Sequence, residues 1–123
     1  MSRLEFERVD GVPVARPSED IDAANARVLR DELAACLQGA DTLVLDLSAT
    51  RYVDSAGIDM LFRLNELLRQ RRAKLLLVIP QSSQLTRLAQ IVALPSAVAI
   101  HETVEQALGA LAAERWMNAT RRR

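Results

Sequence analysis

At 123 residues the chain suits one domain, since a core of this size buries roughly two-thirds of the unfolded surface; half the residues are hydrophobic but only 3% aromatic, so Leu, Val, Ile and Ala must fill it. Sixteen basic and sixteen acidic residues cancel, which removes any global field for nucleic acid or an anionic membrane. A single cysteine, Cys36, and a single histidine, His101, exclude an internal disulfide and a Cys/His metal site, and no apolar run reaches the ~18 residues of a membrane span, so a cytoplasmic protein without cofactor or metal is expected.

Leu4 and Phe6 alternate with Arg3, Glu5 and Glu7, and Val12 and Val14 follow Asp10-Gly11, a dipeptide suited to the positive φ of a tight turn. An antiparallel hairpin is expected there. From Asp22 to about Gln38, Val28, Leu29, Leu33 and Leu37 recur at helical spacing, with Asp22 placed as N-cap and Gly39 as stop. Leu43 to Leu47 and Leu75 to Ile79 read as strands covered on both faces, and Ala97 to Ile100 as a weaker third. Helical patterns fill roughly Ser55 to Arg72, Ser82 to Val92 and Thr103 to Trp116. The fold class is therefore α/β: one domain over 1–117, with an N-terminal hairpin and then alternating helices and mainly parallel strands in one sheet. Residues 118–123, ending in three arginines, read as a short solvated basic tail rather than a nucleic-acid contact.

Open parallel sheets bind ligands at the C-terminal ends of their strands. The connection leaving Leu47 delivers Asp54 and Ser55 to the start of the second helix, where unpaired N–H groups and the positive dipole end stabilise an added phosphate. Gly57, lacking a β-carbon, would let a kinase or partner approach the backbone just beyond the serine. Helix capping alone also explains Asp54 and Ser55, since these are common N-cap residues. Gly57, Leu61, Leu64 and Leu68 form the core stripe of this helix. Ile58 and Phe62 lie beside the stripe, where they either widen the core face or, with Arg51, Tyr52 and Asp59, form a docking patch. An enzyme reading would set Ser55 against His101 and an aspartate, but Ser55 lacks the Gly-x-Ser-x-Gly elbow, and no enzymatic activity is expected.

Asp46-Leu47-Ser48 followed by Val53-Asp54-Ser55-Ala56-Gly57-Ile58 resembles the signature segment of the STAS family of anti-sigma factor antagonists. Asp20 to Ala26 is similar to the family's stretch opening the first helix, and Ser82 to Leu88 to its segment entering the third. The resemblance implies that Ser55 is a phosphorylation site. It implies a partner surface of Asp22, Arg51, Tyr52, Asp54, Ser55, Ala56, Gly57, Ile58, Asp59 and Phe62. It further implies that the unphosphorylated protein binds an anti-sigma factor, a serine kinase of histidine-kinase-like ATPase fold, that phosphorylation releases this partner, and that a serine phosphatase resets the site. Three departures stand out: Glu19 and Ala93 occupy positions where the family often has glycine, and Ala56 replaces a second hydroxyl residue. A subunit or regulator of a membrane transport ATPase or another signalling assembly, without a phosphoserine switch, is the alternative within the same fold.

Overall fold

The computed structural model describes residues 4–121. Strands β1 (Leu4–Val9) and β2 (Val12–Pro17) form the antiparallel hairpin, in register from Leu4 opposite Pro17 to Val9 opposite Val12. The turn between them is left-handed at both positions, with φ of 52° at Asp10 and 80° at Gly11, the geometry whose twist matches that of the paired strands.

Parallel strands β3 (Thr42–Asp46), β4 (Lys74–Val78) and β5 (Ala99–His101) complete a five-stranded sheet of order β1-β2-β3-β4-β5. Helices α1 (Ala26–Cys36), α2 (Ser55–Gln70) and α3 (Leu85–Ile91) connect the parallel strands. Because strand order advances in one direction and such crossovers share one hand, all three helices fall on one face of the sheet. There Leu43, Leu45, Leu75, Leu77 and Ile79 pack against Leu29, Leu33, Leu61, Leu64 and Leu68 in the main core. The last helix, α4 (Val104–Arg121), folds back over the other face, where Ala107 and Leu111 meet Val12, Val14, Val44, Leu76 and Val78. Alternate residues of β3 and β4 thus serve opposite layers, which is why both strands read as unbroken apolar runs.

The elements agree with the sequence reading in kind and order and differ at their ends. Asp22 is not the N-cap of α1. Its carboxylate accepts the Ala24 amide at 2.9 Å in a turn one step earlier, and Asn25 occupies the cap position. Val28 is no core residue: it is 61% exposed, because the buried side of α1 carries Ala26, Leu29, Leu33 and Ala34. β5 begins two residues and ends one residue later than expected, over Ala99–His101. Helix α4 runs through Asn118 to Arg121 rather than stopping near Trp116, so this part of the stretch read as a tail is helical, while residues 122 and 123 lie outside the described residues. Among the described residues no helix is long and apolar enough to cross a membrane.

Ala93, between α3 and a short 3-10 turn over Leu94–Ser96, has φ of 57°. A β-carbon there costs about 1–2 kcal/mol, part of which returns as lower entropy of the unfolded chain. Ala93→Gly is therefore expected to stabilise the fold by about 0.5–1 kcal/mol, read as a higher urea midpoint at unchanged slope. Burial and the nearby Glu32 push the Cys36 thiol up from its ordinary range, which leaves it a weak nucleophile at neutral pH.

Candidate functional site

The site is built where the β2–α1 and β3–α2 connections cross. Ile21 and Val53 form an isolated parallel bridge: the Ile21 amide donates to the Tyr52 carbonyl at 3.0 Å, and the Asp54 amide donates to the Ile21 carbonyl at 3.1 Å. Both residues are buried apolar side chains, so the bridge is anchored from beneath. It fixes the entry of α2 two residues before Ser55. Asp54 then caps the helix, in extended conformation, with its Oδ1 accepting the Gly57 amide at 2.9 Å and its carbonyl accepting the Ile58 amide at 2.9 Å. Ser55 is the first residue of the helix and is exposed.

Around it, Arg51, Tyr52 and Asp59 are also exposed, Tyr52 by 57%, and Asp54, Ala56, Ile58 and Phe62 are half-buried. Ile58 and Phe62 pack their inner sides on the core, as the wider core face expects, and leave part of their surface at the rim. Asp59 is held by Arg63 at 2.6 Å, one turn along α2. Asp22 is half-buried beside the Ile21 bridge, with its amide donating to Asn25 Oδ1 at 2.9 Å. Every residue read as part of the patch therefore lies on or beside this one corner of the molecule.

Of the two roles expected of Gly57, its place in the buried stripe of α2 is the one observed. It is buried, and a β-carbon would come within 2.5 Å of Val53 Cγ1 and 2.9 Å of the Ile21 carbonyl oxygen. The close approach it permits is that of the bridge from inside, not of a partner from outside. Ile21 and Val53 were missed as site residues because single apolar residues between polar ones carry no periodic signal; Met60, also missed, joins the buried side of α2.

Asp46 ends β3 with its side chain 3% exposed. One oxygen accepts the Ser48 amide at 2.9 Å, and the other accepts Arg16 Nε at 2.8 Å from β2, a partner not evident in the sequence. The hydrogen bond to Asp46 raises the Arg16 guanidinium further above its ordinary range. Arg16 keeps 36% exposure, so water can partly replace it, and Arg16→Leu is expected to cost about 2 kcal/mol in urea unfolding. Arg16→Leu with Asp46→Leu should cost less than Arg16→Leu alone, because no buried charge is then left unpaired.

His101 stands in register with Val78, whose side chain faces α4, whereas Ser55 starts a helix on the other face. The sheet separates them, and they form no nucleophile–base pair.

The sequence model of the STAS domain matches residues 3–107, which takes in every element from β1 to the start of α4. The chain belongs to the STAS domain family. A Bordetella bronchiseptica protein named as anti-sigma factor antagonist BtrV is 34% identical over 76 residues, 61% of this chain; the chain spans 66% of that relative. The crystal structure of an anti-sigma factor antagonist from Mycobacterium paratuberculosis is 27% identical and superposes with a TM-score of 0.71, covering 87% of this chain and 91% of the other. The Bacillus cell fate determinant SpoIIAA in its phosphorylated form shares the fold, with a TM-score of 0.61 at 19% identity, over 88% of this chain and 98% of the other. This STAS chain thus has anti-sigma factor antagonists among its relatives in both sequence and fold.

Proposed function

We propose that the protein is an anti-sigma factor antagonist whose binding is switched by phosphate on Ser55. The observation that carries this reading is the presentation of the Ser55 hydroxyl at the first position of α2, exposed and rigidly framed by the Ile21–Val53 bridge. Asp54 and its carbonyl occupy the Gly57 and Ile58 amides, so the Ser55 and Ala56 amides are those left to meet a phosphate. The dipole end of a sixteen-residue helix stabilises that added charge. In the unmodified state Tyr52, Ile58 and Phe62 offer apolar surface ringed by Arg51, Asp59 and Asp22, the composition of a transient protein interface.

On this reading the unmodified protein holds an anti-sigma factor of histidine-kinase-like ATPase fold and frees a sigma factor for transcription. That partner, acting as a serine kinase, transfers phosphate to Ser55 and is released. A serine phosphatase restores the hydroxyl. The test is mass spectrometry of the protein isolated from its host, with the proteins that come with it. A phosphate on Ser55 together with an ATPase-fold kinase is the expected result; a transporter ATPase in its place, with Ser55 unmodified in every growth condition, would overturn the proposal.

A further inference from the structure

β1 is an end strand of the sheet, with β2 as its one neighbour among the described residues. The two-residue turn at Asp10-Gly11 makes Val9 and Val12 a hydrogen-bonded pair. Alternation then points the amides and carbonyls of Val9, Glu7 and Glu5 at β2, and those of Arg8, Phe6 and Leu4 outward. Pro13 and Pro17 agree with this parity: they stand opposite Arg8 and Leu4, where no N–H is needed toward β1. The outer row is open. Glu5, Phe6, Glu7 and Arg8 are all exposed, and the strand has no proline, lysine or bulge of the kind that guards a free edge.

The two faces of β1 differ. Leu4 joins the core under α1, α2 and α3, so Phe6 and Arg8 share that side; Val9 joins the layer under α4, so Glu5 and Glu7 share the other. Helix α4 packs on β2, β3 and β4 and leaves a groove of about 400 Å³ beside β1. Its floor includes Val9, Val104 and Leu108, and its rim carries Glu7, Glu102 and Glu105. Among the described residues no cation lies within ion-pair distance of those three carboxylates, because Arg16, which also lines the groove, is held by Asp46 and Glu5.

We propose that β1 accepts an extended segment of a partner protein as a sixth strand, antiparallel to β1, with arginine or lysine opposite Glu5 and Glu7 and an apolar residue opposite Phe6. The outward row of Leu4, Phe6 and Arg8 supplies the backbone half of this recognition. Charge supplies the other half. Toward an added strand Glu5 and Glu7 are the non-hydrogen-bonded positions, where facing side chains come closest. A basic side chain opposite Glu7 lays its apolar stem along Val9 and Leu108 and carries its charge toward Glu102 and Glu105. The apolar residue covers the Phe6 ring, which is 41% exposed.

A second copy of β1 fits worse. Two-fold antiparallel pairing centred on Phe6 sets Glu5 against Glu7, and pairing centred on either glutamate sets that residue against itself. The proposal stands apart from the reading of Ser55 and holds whether or not that serine is modified.

The probe is a capped peptide, Val-Arg-Val-Arg-Val, followed by fluorescence anisotropy up to about 1 mM and by hydrogen exchange of the whole protein. Binding with slowed exchange at the Leu4, Phe6 and Arg8 amides is the expected result. The same residues in the order Arg-Arg-Val-Val-Val should bind at least ~10-fold more weakly. Methyl groups on the valine nitrogens, which face β1, should cost at least ~10-fold, whereas methyl groups on the arginine nitrogens, which face away, should change affinity within ~3-fold. Glu7→Arg should weaken binding at least ~10-fold with circular dichroism unchanged, since this side chain is exposed. Equal binding of the two sequences, or of the two methylated peptides, overturns the proposal, because charge without strand pairing then explains the affinity; so does the absence of binding at about 1 mM. Slowed exchange at Leu4, Phe6 and Arg8 that grows with protein concentration in the absence of peptide also overturns it, assigning the edge to a second copy.

Discussion

Ser55→Asp is expected to lower affinity for an anti-sigma factor by about two orders of magnitude, while Ser55→Ala leaves it within about two-fold. The substituted side chain emerges at an exposed helix start, so neither change touches the core. A single charge about 6 Å from a partner carboxylate, at an effective dielectric near 20, costs about 3 kcal/mol before salt screening, and each 1.4 kcal/mol is tenfold in affinity. A phosphate carries about −1.5 to −2 charges and should act correspondingly more strongly. Raising the salt should narrow the gap between the two variants, since the exposed site is screened. Isothermal titration calorimetry with the anti-sigma partner reads both affinities. Equal binding by the Asp and Ala proteins would remove charge as the basis of release.

The largest effect on stability is expected from Gly57→Ala. In an open helix this change would be favourable by roughly 1 kcal/mol, because alanine is the better helix former. Here the new methyl would sit 2.5 Å from Val53 Cγ1 and 2.9 Å from a backbone oxygen, so either α2 moves outward or the Ile21–Val53 bridge opens. Overpacking typically costs about 1–3 kcal/mol and occasionally more; with a backbone oxygen among the clashing atoms a cost of about 3–4 kcal/mol, offset by the helix gain of about 1 kcal/mol, leaves an expected net loss of about 2–3 kcal/mol in urea unfolding. Because the bridge frames Ser55, phosphorylation there, if it is the switch proposed above, should also slow. A Gly57→Ala protein as stable as the parent would mean that the bridge is not rigid.

The order of elements along the chain and the number of helices were legible because the strands are unbroken apolar runs separated by helical periodicity, and because Asp10-Gly11 specifies its own turn. Helix ends were less so. Asp22, Asn25 and Ser83 all bond nearby backbone, and sequence cannot say which polar residue starts a helix when several can cap. Within the site, Asp54 and Ser55 were legible from their place after β3. Ile21 and Val53 were not, nor was the bond from Arg16 to Asp46 across thirty positions, because each depends on a contact between distant segments. Gly57 was legible as part of the buried stripe of α2, but the close neighbour that its missing β-carbon admits was not. Its missing β-carbon faces the protein's own interior.

The Ile21–Val53 bridge ties the loop bearing the serine to a second loop before any modifying group arrives. On the proposed reading, phosphate would then be added to a loop already held in place, with little ordering left to do. The two chemical states should be nearly the same shape, with slow deuterium uptake at the Ile21 and Asp54 amides in both. If Ser55 is the switch proposed above, a partner reads a change of potential on a fixed surface, and erasing the mark restores the original surface without waiting for any backbone to rebuild.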